Sequence, residues 1–234
     1  MQLRSQIEFA GVGEPPKINN DIWKPVALSL GSRNTALRSR YSSTGFIVED
    51  DRVINFESRP ERFAGEAFAL DDDIEHVLEQ PPAIGYWDGH KFRHHTFDYF
   101  TIKTRGTRTL TAIKHSSMVE RSGIRGTIKL ISEQAGRKAA DEIALMTELD
   151  FSPAERFNAE QAHEIRRHPI PEHDNRVRDV AHDIHGIVTV ADVVALSQLR
   201  ADGFRAVVRL ISDRFFRLTD PNSRVDYDAR IRRR

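Results

Sequence analysis

The sequence predicts an α/β domain followed by a small helical module, and three observations predict it. Between residues 74 and 114 short runs alternate apolar and polar residues at strand period, broken by the turn signals Pro81-Pro82, Asp88-Gly89 and Arg105-Gly106. Two stretches at helical spacing flank those runs, one before and one after. Beyond Asp150 the text turns into short amphipathic helices with no long strand among them. At 234 residues and 39% hydrophobic, the chain can bury a core in one large or two modest units.

Residues 1–43 read as an irregular arm, with a Pro-Pro pair and the basic stretch SRNTALRSRYSST. GFIVEDDRVINFES alternates as a strand. SRPERFAGEAFAL then offers an N-cap at Ser58, an early Pro60, and apolar Phe63, Ala67 and Leu70 on one helical face. IGYW, KFRHHTFDYFTIKT and RTLTAIKH follow as consecutive antiparallel strands. Met118, Ile124, Ile128, Ile131, Ala135 and Ala139 approximate a helical stripe over 118–140, and IALMTELDF returns as a buried strand. Helix, strand meander, helix, strand makes residues 44–150 a mixed-sheet α/β unit.

Residues 151–234 form the second unit. FSPAERFNAEQAHEIRRHPIPEHD reads as a polar linker helix with a proline break. Three short helices follow, with N-cap signals at Asn175, Thr189 and Asp202, and FFRLTDPNSRVDYDARI closes as a hairpin around Asp220-Pro221-Asn222. Three helices and a hairpin outline a winged helix, whose third helix enters a DNA major groove while the wing touches backbone. The terminal Arg-Arg-Arg reads as an unstructured tail.

Composition excludes several function classes. Without cysteine there are no disulfides, thiolate metal sites or thiol nucleophiles. No leader-like or membrane-spanning apolar run is present, which predicts a cytoplasmic protein. Net charge is zero, but it is segregated: Arg200 to Arg234 holds ten arginines against five aspartates, while Asp71 to Glu79 holds five acids. Arg205, Arg209, Arg214, Arg217 and Arg224 are therefore candidate phosphate contacts, set against a solvated basic face or a protein-docking surface.

The candidate chemistry lies in Glu61, Asp98 and Lys114. Neighbouring strands joined at Arg105-Gly106 can bring Asp98 and Lys114 to one end of a strand pair, and the helix carrying Glu61 can reach them by packing on the sheet. Phosphodiester hydrolysis uses such a set: carboxylates hold Mg²⁺ or Mn²⁺, and a lysine steadies the attacking water and the developing charge. The bland alternative is three charged residues scattered along a sheet edge. His94-His95 sits just before Asp98, and alternation puts one of the pair on the aspartate's face, where strand packing competes with sugar-phosphate contact. His182 and His185 stand three apart on a helix, but without a third ligand they read as helix packing.

These residues also carry a resemblance. FESRPERF, LEQPPAIGYWDGHKFRHHTFDYF and RTLTAIKH resemble the N-terminal domain of TnsA-type transposon endonucleases. The matching phrases are Ser58 with Glu61, Glu79-Gln80-Pro81, Phe97-Asp98-Tyr99 and Ile113-Lys114, with Met146-Thr147-Glu148 similar to a later strand of that family. They span residues 30 to 150 in the family's order. The resemblance implies a restriction-endonuclease-like fold, with Glu61, Asp98 and Lys114 catalytic and Glu61 and Asp98 holding Mg²⁺. It further implies cleavage of one strand at transposon ends in double-stranded DNA, beside a TnsB-like DDE transposase and under a TnsC-like AAA ATPase. One position departs from the pattern. The acid or glutamine expected two residues before the lysine is Ala112. Either the chain is a weakened nuclease kept as a DNA-binding or assembly subunit, or Glu57 or Glu133 supplies the missing oxygen.

Overall fold

The computed structural model of the chain describes residues 26–32, 43–49, 52–71 and 73–234. Most of the expected arm, residues 1–25 and 33–42, lies outside the described residues. Its described part is docked: Ala27 bridges to Arg52, and the Ser32 N–H donates to the Gln80 carbonyl at 2.8 Å.

Strands β1 (Gly45–Glu49) and β2 (Arg52–Phe56) form an antiparallel hairpin. Helix α1 (Arg59–Leu70) begins at the expected cap, where the Ser58 side chain accepts from the Glu61 N–H and a proline occupies the first turn. Five strands follow: β3 (Ile74–Glu79), β4 (Ile84–Trp87), β5 (Phe92–His95), β6 (Tyr99–Lys103) and β7 (Arg108–Ile113). The central sheet has the order β3-β6-β7-β8, where β8 (Glu142–Met146) runs parallel to β7 and the other pairs are antiparallel. β4 and β5 pair only with each other among the described residues.

That arrangement corrects one expectation. KFRHHTFDYFTIKT is two strands in two sheets, and the chain steps from β5 to β6 across Thr96, Phe97 and Asp98. Alternation cannot reveal the step, because Phe97 and Tyr99 are both buried in cores, at 0% and 1% exposure, although they face different ones. The expected long helix over 118–140 is likewise two helices, α2 (Ser116–Ser122) and α3 (Ile124–Ala135). Gly123 separates them with φ of 65°, a left-handed conformation that glycine adopts without a Cβ clash.

Both faces of the sheet are covered. On one, Ile47, Ile54, Phe56, Ala64, Tyr99 and Ile113 join the hairpin and α1 to the strands; on the other, Tyr86, Phe97, Leu110, Ala112, Val119 and Ile131 join β4, α2 and α3. β7 is buried from Thr109 to Ile113, as a central strand with two covered faces must be.

Helix α4 (Pro153–Arg166) starts with a reciprocal cap between Ser152 and Glu155 and packs against α1. The C-terminal module follows as α5 (Pro171–His182), β9 (Ile187–Thr189), α6 (Val190–Ser197), α7 (Ala201–Ser212), β10 (Phe216–Leu218) and β11 (Arg230–Arg233). Its three strands form an antiparallel sheet in the order β10-β11-β9 around Val177, Val190, Val193, Val207, Leu210, Phe216 and Ile231. Thr189 caps α6 as expected, with Asp192 completing the box. Asn175 and Asp202 do not cap: α5 already starts at Pro171 and α7 at Ala201. Nor are the last arginines a loose tail. Arg232 and Arg233 lie in β11, held by the apolar anchor Ile231 and by β9 and β10 on either side. Among the described residues no helix is long and apolar enough to cross a membrane.

Candidate active site

The start of α1 fixes Glu61. Its Oε1 accepts from the Ser58 hydroxyl and its Oε2 from the Glu57 N–H, both at 2.7 Å. The capping geometry that starts the helix therefore also aims this carboxylate. Burial pushes the Glu61 carboxyl above its ordinary pKa, further than the Glu57 N–H, the Ser58 hydroxyl and the Lys114 ammonium pull it down. The neighbouring Glu57 carboxylate pushes the same way as burial. A desolvated carboxylate with too little positive charge around it is suited to receiving a cation.

The distance between α1 and the sheet is set by Gly65. A Cβ there would stand 2.6 Å from the Tyr99 hydroxyl oxygen, so only glycine allows this approach. The same hydroxyl donates to the Glu61 carbonyl at 2.9 Å, and Phe68 packs edge-on against the Tyr99 ring. Burial raises the Tyr99 phenol well above its ordinary value, and the Glu61, Asp98, Glu79 and Glu66 carboxylates raise it further. Two candidate ligands on different elements thus act on one buried hydroxyl.

Asp98 occupies the step into β6 rather than the body of a strand. Its N–H donates to the Thr111 carbonyl at 3.0 Å, and its Oδ2 accepts from the Ile113 N–H at 2.6 Å. Beside it the Lys114 N–H donates to the Met146 carbonyl at 3.0 Å, which fixes the backbone where β7 ends. Burial lowers the His95 pKa and the Lys114 charge adds to this, while at Glu61 the same charge only opposes the upward push of burial. Asp98 thus stands at the end of β7 next to Lys114, and the Lys114 charge reaches Glu61.

Register explains the departure at Ala112. Tyr99 pairs with Thr111 and Glu79 pairs with Tyr99, so Gln80, Asp98 and Ala112 fall in the next row across three strands. Ala112 is 1% exposed in the core beside Tyr86 and Phe97, and it offers no oxygen. Gln80, at the other end of the row, is 2% exposed with φ of 41°, and its N–H donates to the Asp98 carbonyl. Neither polar atom of its carboxamide has a hydrogen-bond partner. Gln80 is a residue that spacing did not single out, and its position just before Pro81 was the available signal.

Other candidates have structural duties. Glu79 is fully buried, paired to Arg52 at 2.6 Å and accepting from the Ser29 hydroxyl at 2.6 Å. Glu148 accepts from the Ser116 N–H and hydroxyl, holding the start of α2. Glu133 pairs with Lys129 on the surface of α3. Glu57 stays half-buried beside Glu61. His95 packs edge-on against Phe97, with Nε2 lacking a partner. His182 and His185 are exposed, and His182 faces Asp183 at 3.7 Å.

Among the described residues no group of three or more His, Asp or Glu could hold a metal ion. The candidate carboxylates at this end of the sheet are two, Glu61 and Asp98. Mg²⁺ keeps several of its waters and is commonly held by only one or two carboxylates, so their number is compatible with that ion.

The arginines predicted to contact DNA divide. Arg205, Arg217 and Arg224 are exposed, Arg224 lying over the Phe157 ring at 4.9 Å. Arg214 is exposed just after α7, in a left-handed conformation with φ of 67°. Arg209 is a correction: it is 3% exposed, and its Nη2 and Nε lie 2.6 and 2.8 Å from Asp174 Oδ1. Its charge is spent inside the module and does not reach a phosphate. The stripe of α7 that carries it is the one covered by α5 and α4.

No family model matches the chain, and no curated protein matches it.

Proposed function

We propose that the chain is a metal-dependent DNA endonuclease of the TnsA type, cutting one strand at transposon ends as the nuclease subunit of a heteromeric transposase. The observation that carries this reading is the placing of Asp98 beside the end of β7, where Lys114 follows, with Tyr99 next to Asp98 tying the Glu61 backbone to the same region. The order of α1, three strands of the central sheet, a helical pair and a parallel fourth strand supports a restriction-endonuclease-like core. The order helix, strand, two helices, two strands in one three-stranded sheet supports a winged-helix-like module.

Glu61 and Asp98 are the residues to hold Mg²⁺ or Mn²⁺. Bound there, the ion supplies Lewis-acid polarisation of the phosphoryl group and lowers the pKa of a bound water. Lys114 orients the attacking water and offsets the charge that develops on the phosphate. Ser58 and the Glu57 N–H hold the Glu61 carboxylate in place, and the Ile113 N–H does the same for Asp98. The DDE transposase and the AAA ATPase are the partners that the resemblance proposes.

Ala112 favours a second reading, an assembly subunit that has lost turnover. One experiment separates the two: nicking of supercoiled plasmid carrying the element's ends, with Mg²⁺ or Mn²⁺, alone and with the partner transposase. Metal-dependent nicking lost in Asp98→Ala and Lys114→Ala supports the nuclease. Unaltered DNA binding with no nicking in any metal supports the assembly subunit.

A further inference from the structure

We propose that the cleft between the start of α1 and α4 binds the phosphodiester backbone of duplex DNA, and carries it from the Glu61, Asp98 and Lys114 cluster toward the C-terminal module. The proposal rests on the nuclease reading and extends it. The cleft has a volume of about 440 Å³ and is walled by Arg59, Pro60, Phe63, His115, Arg156 and Phe157, among others. Its walls are the immediate neighbours of the catalytic candidates. Arg59 and Pro60 directly precede Glu61, and His115 directly follows Lys114.

The arginines here are arranged unlike most others. Arg59 and Arg156 come from different helices yet flank one ring, 6.0 and 5.8 Å from the Phe63 centroid, while Arg224 lies 4.9 Å from that of Phe157. Stacking on a ring steadies the guanidinium plane and leaves the N–H fork of its edge open. Among the described residues none of the three is in an ion pair, whereas Arg52, Arg62, Arg108 and Arg209 are each matched to an acid. Glu160, the acid in the wall, is occupied by Arg62 at 3.2 Å. Helices α1 and α4 also begin at this wall, but Ser58 and Ser152 already cap them, so the arginines carry the site.

Backbone rather than a single small anion is the better occupant. Arg59 and Arg156 share one ring and Arg224 sits on the next, so the charges are strung along the cleft across α1, α4 and the loop between β10 and β11. The third helix of the C-terminal module is a poor alternative reader. Its inner positions from Ala206 to Leu210 are buried, and α4 covers Val208 through Ala162.

The test is fluorescence anisotropy of the full chain with a labelled duplex of about 30 base pairs in EDTA, so that cleavage plays no part. Arg59→Ala/Arg156→Ala/Arg224→Ala is expected to weaken binding about 30-fold, and to lower the slope of log K against log salt by about 2 to 3, since each lost phosphate contact removes about 0.9. A control with the same charge loss on and beside α3, Arg125→Ala/Lys129→Ala/Arg137→Ala, should stay within about twofold of the parent. Should the cleft triple fail to fold, Arg156→Gln alone should lower the slope by about 1. Equal weakening by both triples overturns the proposal, because net charge alone would explain it. Tight binding by the parent that the cleft variants leave unchanged overturns the cleft and leaves the nuclease reading standing. No binding by the parent under any salt condition removes both.

Discussion

At the end of the central sheet, charge is gathered and left partly unmatched; in helix α7, charge is gathered and sealed. Glu61 is held by two hydrogen bonds yet keeps a raised pKa because burial outweighs them, while Arg209 is clamped on Asp174 inside the module. Both regions look similar in sequence, as charged residues on amphipathic elements. What differs is the second element packed over them. Gly65 lets α1 approach Tyr99 closely and bury Ile113 without bringing Glu61 enough positive charge, whereas α4 and α5 close over the inner face of α7 and α5 brings Asp174 to Arg209. A buried charge is left available for chemistry where the packing over it supplies too little counter-charge.

The largest expected effect tests the open side of this contrast. Asp98→Ala and Lys114→Ala should each lower metal-dependent nicking by about 10⁴-fold, because several kcal/mol of charge stabilisation disappear and each 1.4 kcal/mol is tenfold in rate. Plasmid nicking rates measure this. Lys114→Ala should leave the melting temperature nearly unchanged, and wild-type rates in Asp98→Ala would break the comparison.

The sealed side is tested next. Arg209→Ala leaves the Asp174 carboxylate without its partner in a mostly buried position, at a cost of about 3–5 kcal/mol. Urea denaturation should find that loss, while the exposed Arg217→Ala stays within about 0.5 kcal/mol. An Arg209→Ala protein of normal stability and weakened DNA binding would mean that α7 faces DNA after all.

Gly65→Ala comes third and sharpens the contrast. The new methyl would meet the Tyr99 hydroxyl, so α1 must lift or Tyr99 must turn, costing about 1–3 kcal/mol and moving Glu61. Combining it with Tyr99→Phe removes the clashing oxygen. The double variant should regain most of the stability lost in Gly65→Ala, with nicking still reduced because the bond to the Glu61 carbonyl is gone.

How much of this was legible in the sequence follows from the range of each interaction. Local signals were sufficient for α1, whose cap at Ser58 and proline at its start are written within four residues, and for α6, capped by Thr189 and Asp192. The place of Asp98 beside the end of β7 was legible too, because a tight turn makes β6 and β7 neighbours. The step from β5 to β6 was hidden, since alternation runs through Phe97 to Tyr99 while the two face different cores. Gln80 stood in the sequence only as part of the Glu79-Gln80-Pro81 phrase, because its place in the row of Asp98 and Ala112 comes from cross-strand register, which no spacing within one strand expresses. Arg209 was misjudged for a similar reason. Asp174, its partner, is 35 residues away, and a basic residue at helical spacing reads the same whether it faces water or an acid.

The smallest effect concerns the seam between the two regions. Glu66 on α1 is 1% exposed and faces α4, its Oε1 2.8 Å from Arg62 Nε. Burial raises its pKa above the ordinary 4.5, and the Arg62 hydrogen bond and charge only partly oppose this. The folded protein therefore holds that proton more tightly than the unfolded chain. Stability from protonated Glu66 is complete below the ordinary value and is lost as pH rises through the raised one. Glu66→Gln stays neutral, and Arg62 keeps Glu160 as a partner, so no orphaned charge is created. Thermal unfolding should find the variant equal to or slightly above the parent at pH 8, by less than about 1 kcal/mol, with that advantage gone at pH 4. A variant less stable than the parent at pH 8 and not at pH 4 would mean that the ionised carboxylate ties α1 to α4. The seam would then belong with Arg209 and Asp174 rather than with Glu61.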